Sequence, residues 1–224
     1  MTAQPATIIT VAEYEGQEDV RIRATQLGTG YTASAARRVV QDWVDLLSAG
    51  TSPIRRLEFT SRTPSRLFEA LAGQRQLQSL SIKWGDYADL SPLSEMSELQ
   101  QLSLRGAAKV TVVERLAGLT SLSSLVIEGF RQIEDPSPLG GLRDLTSLEL
   151  GGNWMTPKNG RLPSIAFLRE LHGIRDLLLH TLVVDDRDYS PLMDLPQLQR
   201  VRVMKVQGMV PTFEELKATL PWDG

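Results

Sequence analysis

One apolar frame returns at a fixed interval along the middle of this chain and limits the folds that the chain can adopt. Residues 93–104, 116–127 and 139–150 all follow the pattern L-x-x-[LM]-x-x-L-x-x-L-x-[LI]. The central leucine of this frame recurs every 23 residues. A fixed period in the twenties around L-x-x-L-x-L is the sequence pattern of a leucine-rich repeat.

Seven repeats of the frame fall between residues 51 and 208. Their strand cores begin at Ile54, Leu77, Leu99, Leu122, Leu145, Ile174 and Leu198. Successive cores are 22 to 24 residues apart except for one step of 29, so the fifth repeat carries an insertion, which we place in residues 151–163. The pattern predicts an α/β leucine-rich repeat solenoid, a curved horseshoe with a parallel concave sheet of about seven strands.

Residues 1–50 are predicted to cap the first repeat, because an uncovered terminal repeat exposes an apolar face and an unpaired strand edge to water. Segments Thr7–Tyr14 and Asp19–Thr25 have the composition of strands, and the short polar turn between them favours a hairpin. A helix is predicted over Ala33–Ala49, where apolar residues recur on one side and Gly50 follows the last turn.

Residues 209–224 are predicted to cap the last repeat with a helix over Pro211–Leu220. The sequence Thr212-x-x-Glu215 has the form of a capping box, in which each of the two side chains accepts a backbone hydrogen bond from the other residue. The apolar residues of this helix would then cover the end of the core.

The composition limits the kinds of partner that the chain can bind and the kinds of chemistry that it can carry out. The formal net charge is −3, which gives no broad attraction for nucleic acid, and the chain has no cysteine for disulfides, thiolate metal sites or nucleophilic catalysis. No stretch has the length of a membrane span, and residues 1–16 lack the pattern of a signal peptide. We therefore expect a soluble, monomeric, cytoplasmic protein that binds neither nucleic acid nor membranes.

Three segments that lead into the convex side share a five-residue motif. Residues 89–93, 135–139 and 188–192 all read D-x-S-P-L. The motif resembles the signature of bacterial internalin-type leucine-rich repeats, and that resemblance implies a curved solenoid that binds protein. Serine is expected to cap the short convex helix, and proline suits its first turn. The family often has asparagine three residues after the last strand leucine, a place that only Asn153 occupies here.

Motifs that carry catalytic or cofactor chemistry are few. Gly28-x-Gly30-x-x-Ala33 follows a predicted strand and precedes a predicted helix, so it is compatible with a dinucleotide loop or with a plain glycine-rich connection. The two histidines, His172 and His180, lack the spacing of paired metal ligands, and no G-x-S-x-G nucleophile elbow exists. We therefore expect no enzyme, no cofactor and no metal.

Residues of the repeats that alternate with the core leucines should point outward on the concave sheet. The central outward row comprises Glu58, Ser81, Ser103, Val126, Glu149, Leu178 and Arg202. Val126 and Leu178 are apolar in this row, and charged residues of both signs surround them. The predicted partner site comprises Lys83, Trp84, Arg105, Val126, Glu128, Glu149, Trp154, Lys158, Arg161, Leu178, His180 and Arg202.

The sequence therefore predicts a non-enzymatic module for protein–protein interaction. It would bind a protein partner through its concave face and the 151–163 loop, since insertions in repeat proteins fall on loops and often on the binding face. Tryptophan and arginine are enriched at binding hot spots, which favours the same assignment. Two alternatives are binding of a glycan or peptide ligand, and an immunity or inhibitor role against a toxin.

Overall fold

A single parallel sheet runs through the molecule and collects one strand from every repeat. The computed structural model describes residues 4–153 and 158–222. The strands of this sheet are β1 (Thr7–Ile8), β2 (Asp19–Ile22), β3 (Arg56–Thr63), β4 (Ser79–Gly85), β5 (Gln101–Leu104), β6 (Ser124–Glu128), β7 (Ser147–Gly151), β9 (Asp176–His180) and β11 (Arg200–Val203). All neighbouring pairs are parallel and follow chain order. The predicted solenoid and its seven repeat strands are confirmed.

Helices and turns return the chain across the opposite, convex side. The α-helices are α1 (Ala33–Ser48), α2 (Ser65–Glu69) and α3 (Phe213–Thr219). The 3-10 helices are Val11–Glu13, Ala70–Gly73, Ser91–Leu93, Glu114–Leu116, Ser137–Gly141, Ala166–Glu170 and Ser190–Asp194. From Ala70–Gly73 onward, successive 3-10 helices pack against each other, so the convex side is a second stack parallel to the sheet.

The core lies between these two stacks and consists of the leucines of the frame. Leu102, Leu125 and Leu148 are in register on neighbouring strands, and all three are buried. Because side chains of a strand alternate between its two faces, the residues between these leucines lie on the other, concave face of the sheet. The frame therefore divides every strand into a core side and a concave side.

The N-terminal segment is not the hairpin that the sequence predicts. β1 is parallel to β2, with Thr7 opposite Arg21 and Ile8 opposite Ile22. The chain between them forms the 3-10 helix Val11–Glu13, whose start is fixed by the Glu13 carboxylate: its Oε1 accepts a hydrogen bond from the Thr10 backbone N–H at 2.8 Å. This helix carries the chain back across the convex side, so β2 starts at the same edge as β1 and extends the solenoid.

A helix covers the C-terminal end of the solenoid, as the sequence predicts. The predicted N-terminal helix also forms, but it follows β2 and packs in the convex stack between the 3-10 helix Val11–Glu13 and α2, so β1 rather than this helix lies at the N-terminal end. α1 begins at its N-cap Thr32 and buries Val39, Val40, Trp43 and Leu47. At the C-terminal end, Thr212 and Glu215 form the predicted capping box of α3, and the Leu216 side chain of this helix is fully buried. The Val201 N–H of β11 donates to the Pro221 carbonyl at 3.0 Å, so the C-terminal segment also pairs with the last strand.

The D-x-S-P-L motif works through its aspartate rather than its serine. The backbone N–H of Ser91 donates to the Asp89 carboxylate at 2.8 Å, and Ser137 and Ser190 donate in the same way to Asp135 and Asp188 at 2.9 Å. The predicted serine cap is therefore wrong: the serine already lies in the first turn, and the residue two positions earlier accepts its N–H. Hydrogen bonds from the Ser91 hydroxyl and N–H lower the pKa of Asp89.

The insertion of the fifth repeat adds a strand outside the main sheet. β8 (Gly160–Leu162) pairs in parallel with β10 (Leu182–Val184) of the sixth repeat. On its other side, β8 bonds to the fourth repeat, because the Arg161 N–H donates to the Arg131 carbonyl and the Ile133 N–H donates to the Arg161 carbonyl. The insertion is therefore held between two neighbouring repeats.

Candidate functional site

The concave face carries the predicted outward residues in register. In the central row, Cα positions pair from Glu58 through Ser81, Ser103, Val126, Glu149 and Leu178 to Arg202. Arg21 of β2 extends this row by one strand. A second row lies two residues earlier on every strand and comprises Asp19, Arg56, Ser79, Gln101, Ser124, Ser147, Asp176 and Arg200. We call these the central row and the first row.

Four of the predicted site residues form one connected group, which we call the central charge cluster: Arg105, Glu128, Glu149 and His180. The Arg105 guanidinium contacts the Glu128 carboxylate and lies 3.4 Å from Glu149 Oε1. The same Glu149 oxygen lies 3.2 Å from His180 Nε2. His180 Nδ1 is 3.0 Å from the Thr181 hydroxyl, so both ring nitrogens have a partner. Hydrogen bonds thus link four successive repeats.

Burial differs strongly within the central charge cluster. The Glu128 side chain is only 9% exposed, whereas Arg105 is 43% exposed. A buried carboxylate needs a charged or hydrogen-bonded partner, and Arg105 covers Glu128 in this role. The predicted outward position of Glu128 therefore does not make it a contact surface; Arg105 is the member of the pair that faces solvent.

A glycine on β7 leaves the space that the His180 ring of the central charge cluster occupies. Gly151 lies opposite Glu128 on one side and His180 on the other. A Cβ atom at Gly151 would lie 2.5 Å from the His180 ring, closer than real side chains approach. The absence of a side chain at this position lets the imidazole lean across β7 toward Glu149. The insertion therefore starts from a position that the cluster needs to keep small.

Electrostatics of the cluster favour an ionised Glu149. The hydrogen bond from His180 lowers the pKa of Glu149, and the nearby Arg105 charge acts in the same direction, while burial opposes both. The carboxylate therefore stays charged below the pH at which a free glutamate would take up a proton. Arg105 and His180 hold this charge in place.

Apolar side chains flank Glu149 along the central row. Val126 and Leu178 are its in-register neighbours, and both are half-buried rather than covered. A depression of about 420 Å³ opens beside Leu178; its lining is Arg105, Glu149, Leu178, His180, Thr181 and Arg202. A second depression of about 250 Å³ shares Glu149, Leu178 and Arg202 and adds the Asp176 and Arg200 pair of the first row. Leu178 therefore lines both depressions.

Other predicted site residues lie apart from this cluster. Lys83 and Trp84 are on β4, where Trp84 is 36% exposed and the Arg62 guanidinium lies 5.7 Å from the centre of its ring. Arg161 lies on β8 and pairs with Asp185 at 2.5 Å rather than with Glu128 or Glu149. Its strand belongs to the small second sheet, which explains why Arg161 lies apart from the central charge cluster.

Lys158 and Trp154 are the other two predicted site residues of the 151–163 loop. Lys158 is exposed and its backbone bridges to Asn153. Trp154 lies outside the described residues. Asp176, Arg200 and Thr181 line the two depressions and are not among the predicted site residues. The first row could have been found by continuing the alternation two residues toward the start of each strand.

The structure also bears on the features that would indicate a cofactor site, a metal site or a membrane span. Gly28 has a φ of +82°, so the first glycine of the 28–33 motif serves a backbone turn between β2 and α1. Within residues 4–153 and 158–222, no three potential metal ligands come together. Across the same ranges, no helix combines the length and the apolar character that a membrane span requires.

Comparisons with known proteins bear on the fold. No family model matches the sequence, and no curated protein matches it either. A leucine-rich repeat protein of Leptospira interrogans is 13% identical with a TM-score of 0.61; the match covers 90% of this chain but only 47% of that protein, about half of its length. The leucine-rich repeat domain of a type III effector is 16% identical with a TM-score of 0.56, over 89% of this chain and 77% of that one.

A third solved structure, internalin C2 from Listeria monocytogenes, is 22% identical with a TM-score of 0.47, over 73% of this chain and 75% of that one. The first two likenesses extend over most of the described solenoid, and they agree with its parallel sheet and 22- to 24-residue repeats. The chain has the leucine-rich repeat fold.

Proposed function

We propose that this chain is a non-enzymatic protein-interaction module that binds a protein partner through the C-terminal half of its concave face. The observation that carries the proposal is the central row around Glu149, where half-buried Val126 and Leu178 alternate with fixed charges. Interface centres combine apolar contacts with a few oriented polar groups, and the central row has both.

Rigidity of the site supports the same function. Arg105, Glu149 and His180 hold each other through hydrogen bonds between β5, β7 and β9. Side chains that are ordered before binding lose little conformational entropy when a partner docks, so their contacts contribute more to affinity. The site is therefore built to recognise a surface, and its polar groups are mutually satisfied rather than arranged as nucleophile and base.

A protein fits this face better than nucleic acid. Arg21, Arg56 and Arg200 are each paired with a carboxylate on the neighbouring strand, at 2.8, 2.9 and 2.5 Å. Nucleic-acid binding depends on cations that are free to neutralise phosphates, and these arginines are already neutralised. The formal net charge of −3 acts in the same direction. We therefore propose a protein partner, bound by a single copy of the chain.

The test removes apolar surface from the concave face without touching the core. The wild-type chain, the variant Val126→Ser with Leu178→Ser, and a matched variant Val112→Ser with Met193→Ser are used to capture proteins from the source organism, followed by quantitative mass spectrometry. Val112 and Met193 are 48% and 43% exposed and lie outside the first and central rows, so the matched variant loses similar surface elsewhere.

We expect at least one protein that the wild-type chain and the matched variant retain and the concave variant loses. Direct titration of that purified protein should then show weaker binding to the concave variant only. Identical sets of captured proteins for all three chains would refute a partner site on the concave face. If only the matched variant failed to capture the protein, the binding site would have to lie near Val112 and Met193 rather than on the concave face.

A further inference from the structure

Trp84 is an exposed aromatic residue at a position that alternation along its strand assigns to the core. On β4, Leu80 and Ile82 are buried, so the same alternation would point Trp84 inward. Its side chain is nevertheless 36% exposed, and among the residues that the structure describes no other aromatic side chain is as exposed. An exposed tryptophan at an inward position needs a structural cause.

A β-bulge between β3 and β4 is that cause. The two strands are in register up to Phe59 and then shift, because two residues of β3 lie opposite Lys83 alone. Beyond the shift, Trp84 pairs with Arg62, which is exposed. Bulges re-aim the side chains next to them, and here the shift leaves the consecutive residues Lys83 and Trp84 both exposed.

Two neighbours fix the position of Trp84. The Arg62 guanidinium lies 5.7 Å from the centre of the indole ring and is itself held by Asp86 at 2.5 Å. Just after β5, Gly106 has a φ of +60°, and a Cβ atom there would lie 2.6 Å from the Trp84 Cβ. Glycine therefore leaves the room that Trp84 needs. A side chain that is ordered before binding loses little conformational entropy when a partner docks on it.

The surroundings of Trp84 are cationic. Lys83 is exposed beside it, and within residues 4–153 and 158–222 this lysine forms no ion pair. Asp86 already contacts Arg62 at 2.5 Å and Lys109 at 3.8 Å. We call Arg62, Lys83, Trp84, Asp86 and Lys109 the Trp84 patch. It contains three cations and one carboxylate, so its net charge is positive.

The carboxylates outside the described residues do not reach Lys83. Residues 1–3 and 154–157 contain no carboxylate side chain. Residues 223–224 directly follow Trp222, whose backbone bridges Val201 of β11, and β11 is five strands from β4. Five strand spacings are about 24 Å, whereas two residues span at most about 7 Å. The ammonium group of Lys83 is therefore available to a partner.

We infer that the Trp84 patch is a second docking site, which takes an acidic segment of a protein through an ion pair with Lys83 and an apolar contact with Trp84. The positive charge selects an acidic segment, and the exposed indole favours one that also presents an apolar side chain. The patch lies four strands from Leu178, about 19 Å along the sheet. It therefore goes beyond the contacts proposed for the C-terminal half of the concave face.

A protein carboxylate fits the patch better than a nucleic-acid backbone does. A chain of phosphates needs several cations that are free to replace its counterions. Asp86 already contacts both Arg62 and Lys109. Beyond the patch, Arg105 is engaged with Glu128. One available cation beside an exposed ring matches one carboxylate beside an apolar side chain.

Random twelve-residue peptides displayed on phage provide a defined probe. Phage that bind the variant Trp84→Ser are removed first, and the remainder are selected on the purified wild-type chain. The enriched peptides are synthesised with a fluorescent label for polarisation measurements. We expect them to carry Asp or Glu within two positions of a large apolar residue. Lys83→Gln should weaken their affinity about tenfold, the loss expected for a charge-assisted hydrogen bond.

Two matched variants control for the loss of apolar surface and of charge. Met193→Ser removes a side chain on the convex side that is 43% exposed. Arg143→Gln removes an exposed cation on the chain's return to β7. Both should bind the peptides within about twofold of wild type, since an isolated surface group contributes little. Thermal melting of every variant confirms that it is folded.

Changes on both sides of the ion pair test the chemistry. Replacing the acidic residue of the peptide by its amide should weaken binding to the wild-type chain and leave binding to Lys83→Gln unchanged. Lys83→Arg keeps the charge and should bind like wild type. An equal loss on the wild-type and Lys83→Gln chains would overturn the carboxylate assignment. An oligonucleotide of twelve thymidines should not displace the peptide, and displacement at the peptide's own dissociation constant would overturn the choice of a protein segment.

The results also separate this inference from the proposed function. Val126→Ser with Leu178→Ser should leave peptide binding unchanged, and a loss there would overturn the assignment of a second site. A selection without any binder that depends on Trp84, or with binders that lack an acidic residue, would overturn the inference as well. The capture experiment would still decide the proposed function in each of these cases, because it probes the C-terminal half of the face.

Discussion

Leu125 shows at the scale of one residue how the repeat frame produces stability. It is fully buried, with Leu102 and Leu148 in register on either side. Leu125→Ala should reduce the free energy of unfolding by about 2–5 kcal/mol, through lost burial and an unfilled cavity. Ser103→Ala, in the concave row, should change it by less than about 0.5 kcal/mol. Urea unfolding measures both, and equal losses would contradict the division between core and concave side.

Glu149 gives the site a pH dependence whose sign follows from its environment. Because His180 and Arg105 lower its pKa, the ionised carboxylate stabilises the folded state. This contribution is present above the ordinary pKa of glutamate and is lost as the pH falls through the lowered value. Unfolding of wild type and Glu149→Gln should therefore differ most near neutral pH and converge in acid.

The cause of that dependence can be tested by repeating the comparison in a His180→Gln background. The hydrogen bond from His180 is the largest influence on the Glu149 pKa, so the difference in unfolding free energy should shrink there. A pH profile that keeps the same amplitude without His180 would show that Arg105 or another group is responsible.

At the scale of elements, the C-terminal cap closes the open end of the solenoid. α3 buries Leu216 and the following segment pairs with β11. Removing residues 212–224 should lower the melting temperature and promote aggregation, because the last repeat loses its cover. Thr212→Ala removes only the capping box and should cost about 1 kcal/mol. Calorimetry and light scattering test this order; a truncated chain that melts like wild type would show that the cap is dispensable.

The elements also show which signals a sequence carries. The repeat strands and the helices α1 and α3 could be predicted because their periodicity is repeated or because local motifs such as Thr212-x-x-Glu215 mark their ends. The orientation of β1 could not, because residues 11–13, which belong to the strand-like segment Thr7–Tyr14 in the sequence, form a 3-10 helix instead. β8 was also missed, since its partners, residues 131–133 and β10, come from neighbouring repeats and leave no local pattern.

For the candidate site, the sequence predicts which residues point outward but not which side chains contact each other. The outward row from Glu58 to Arg202 follows from alternation alone. The burial of Glu128 does not, because it depends on Arg105 of another repeat folding over it. The separation of Arg161 from the central charge cluster does not follow from alternation either, because it depends on the path of the insertion. Positions on the repeat frame are thus readable from sequence, whereas side-chain partners between repeats require the structure.

At the scale of the whole molecule, contacts run almost entirely between neighbouring repeats. Each strand pairs only with the strands next to it in the stack, so stability is close to a sum of repeats and interfaces. The second sheet is the departure from this simple order. β8 joins the fourth repeat at residues 131–133 and the sixth at β10.

This fastening has a mechanical consequence. When the chain is pulled from its two ends in optical tweezers, ordinary repeats should peel away singly, each releasing about 23 residues. The fourth, fifth and sixth repeats should instead hold together and yield in one longer extension. Arg161→Pro removes the N–H that donates to Arg131 and should split that extension, whereas Arg161→Ala keeps the N–H and should preserve it. The insertion would then act as a clasp that sets how far the solenoid can be stretched before it gives way.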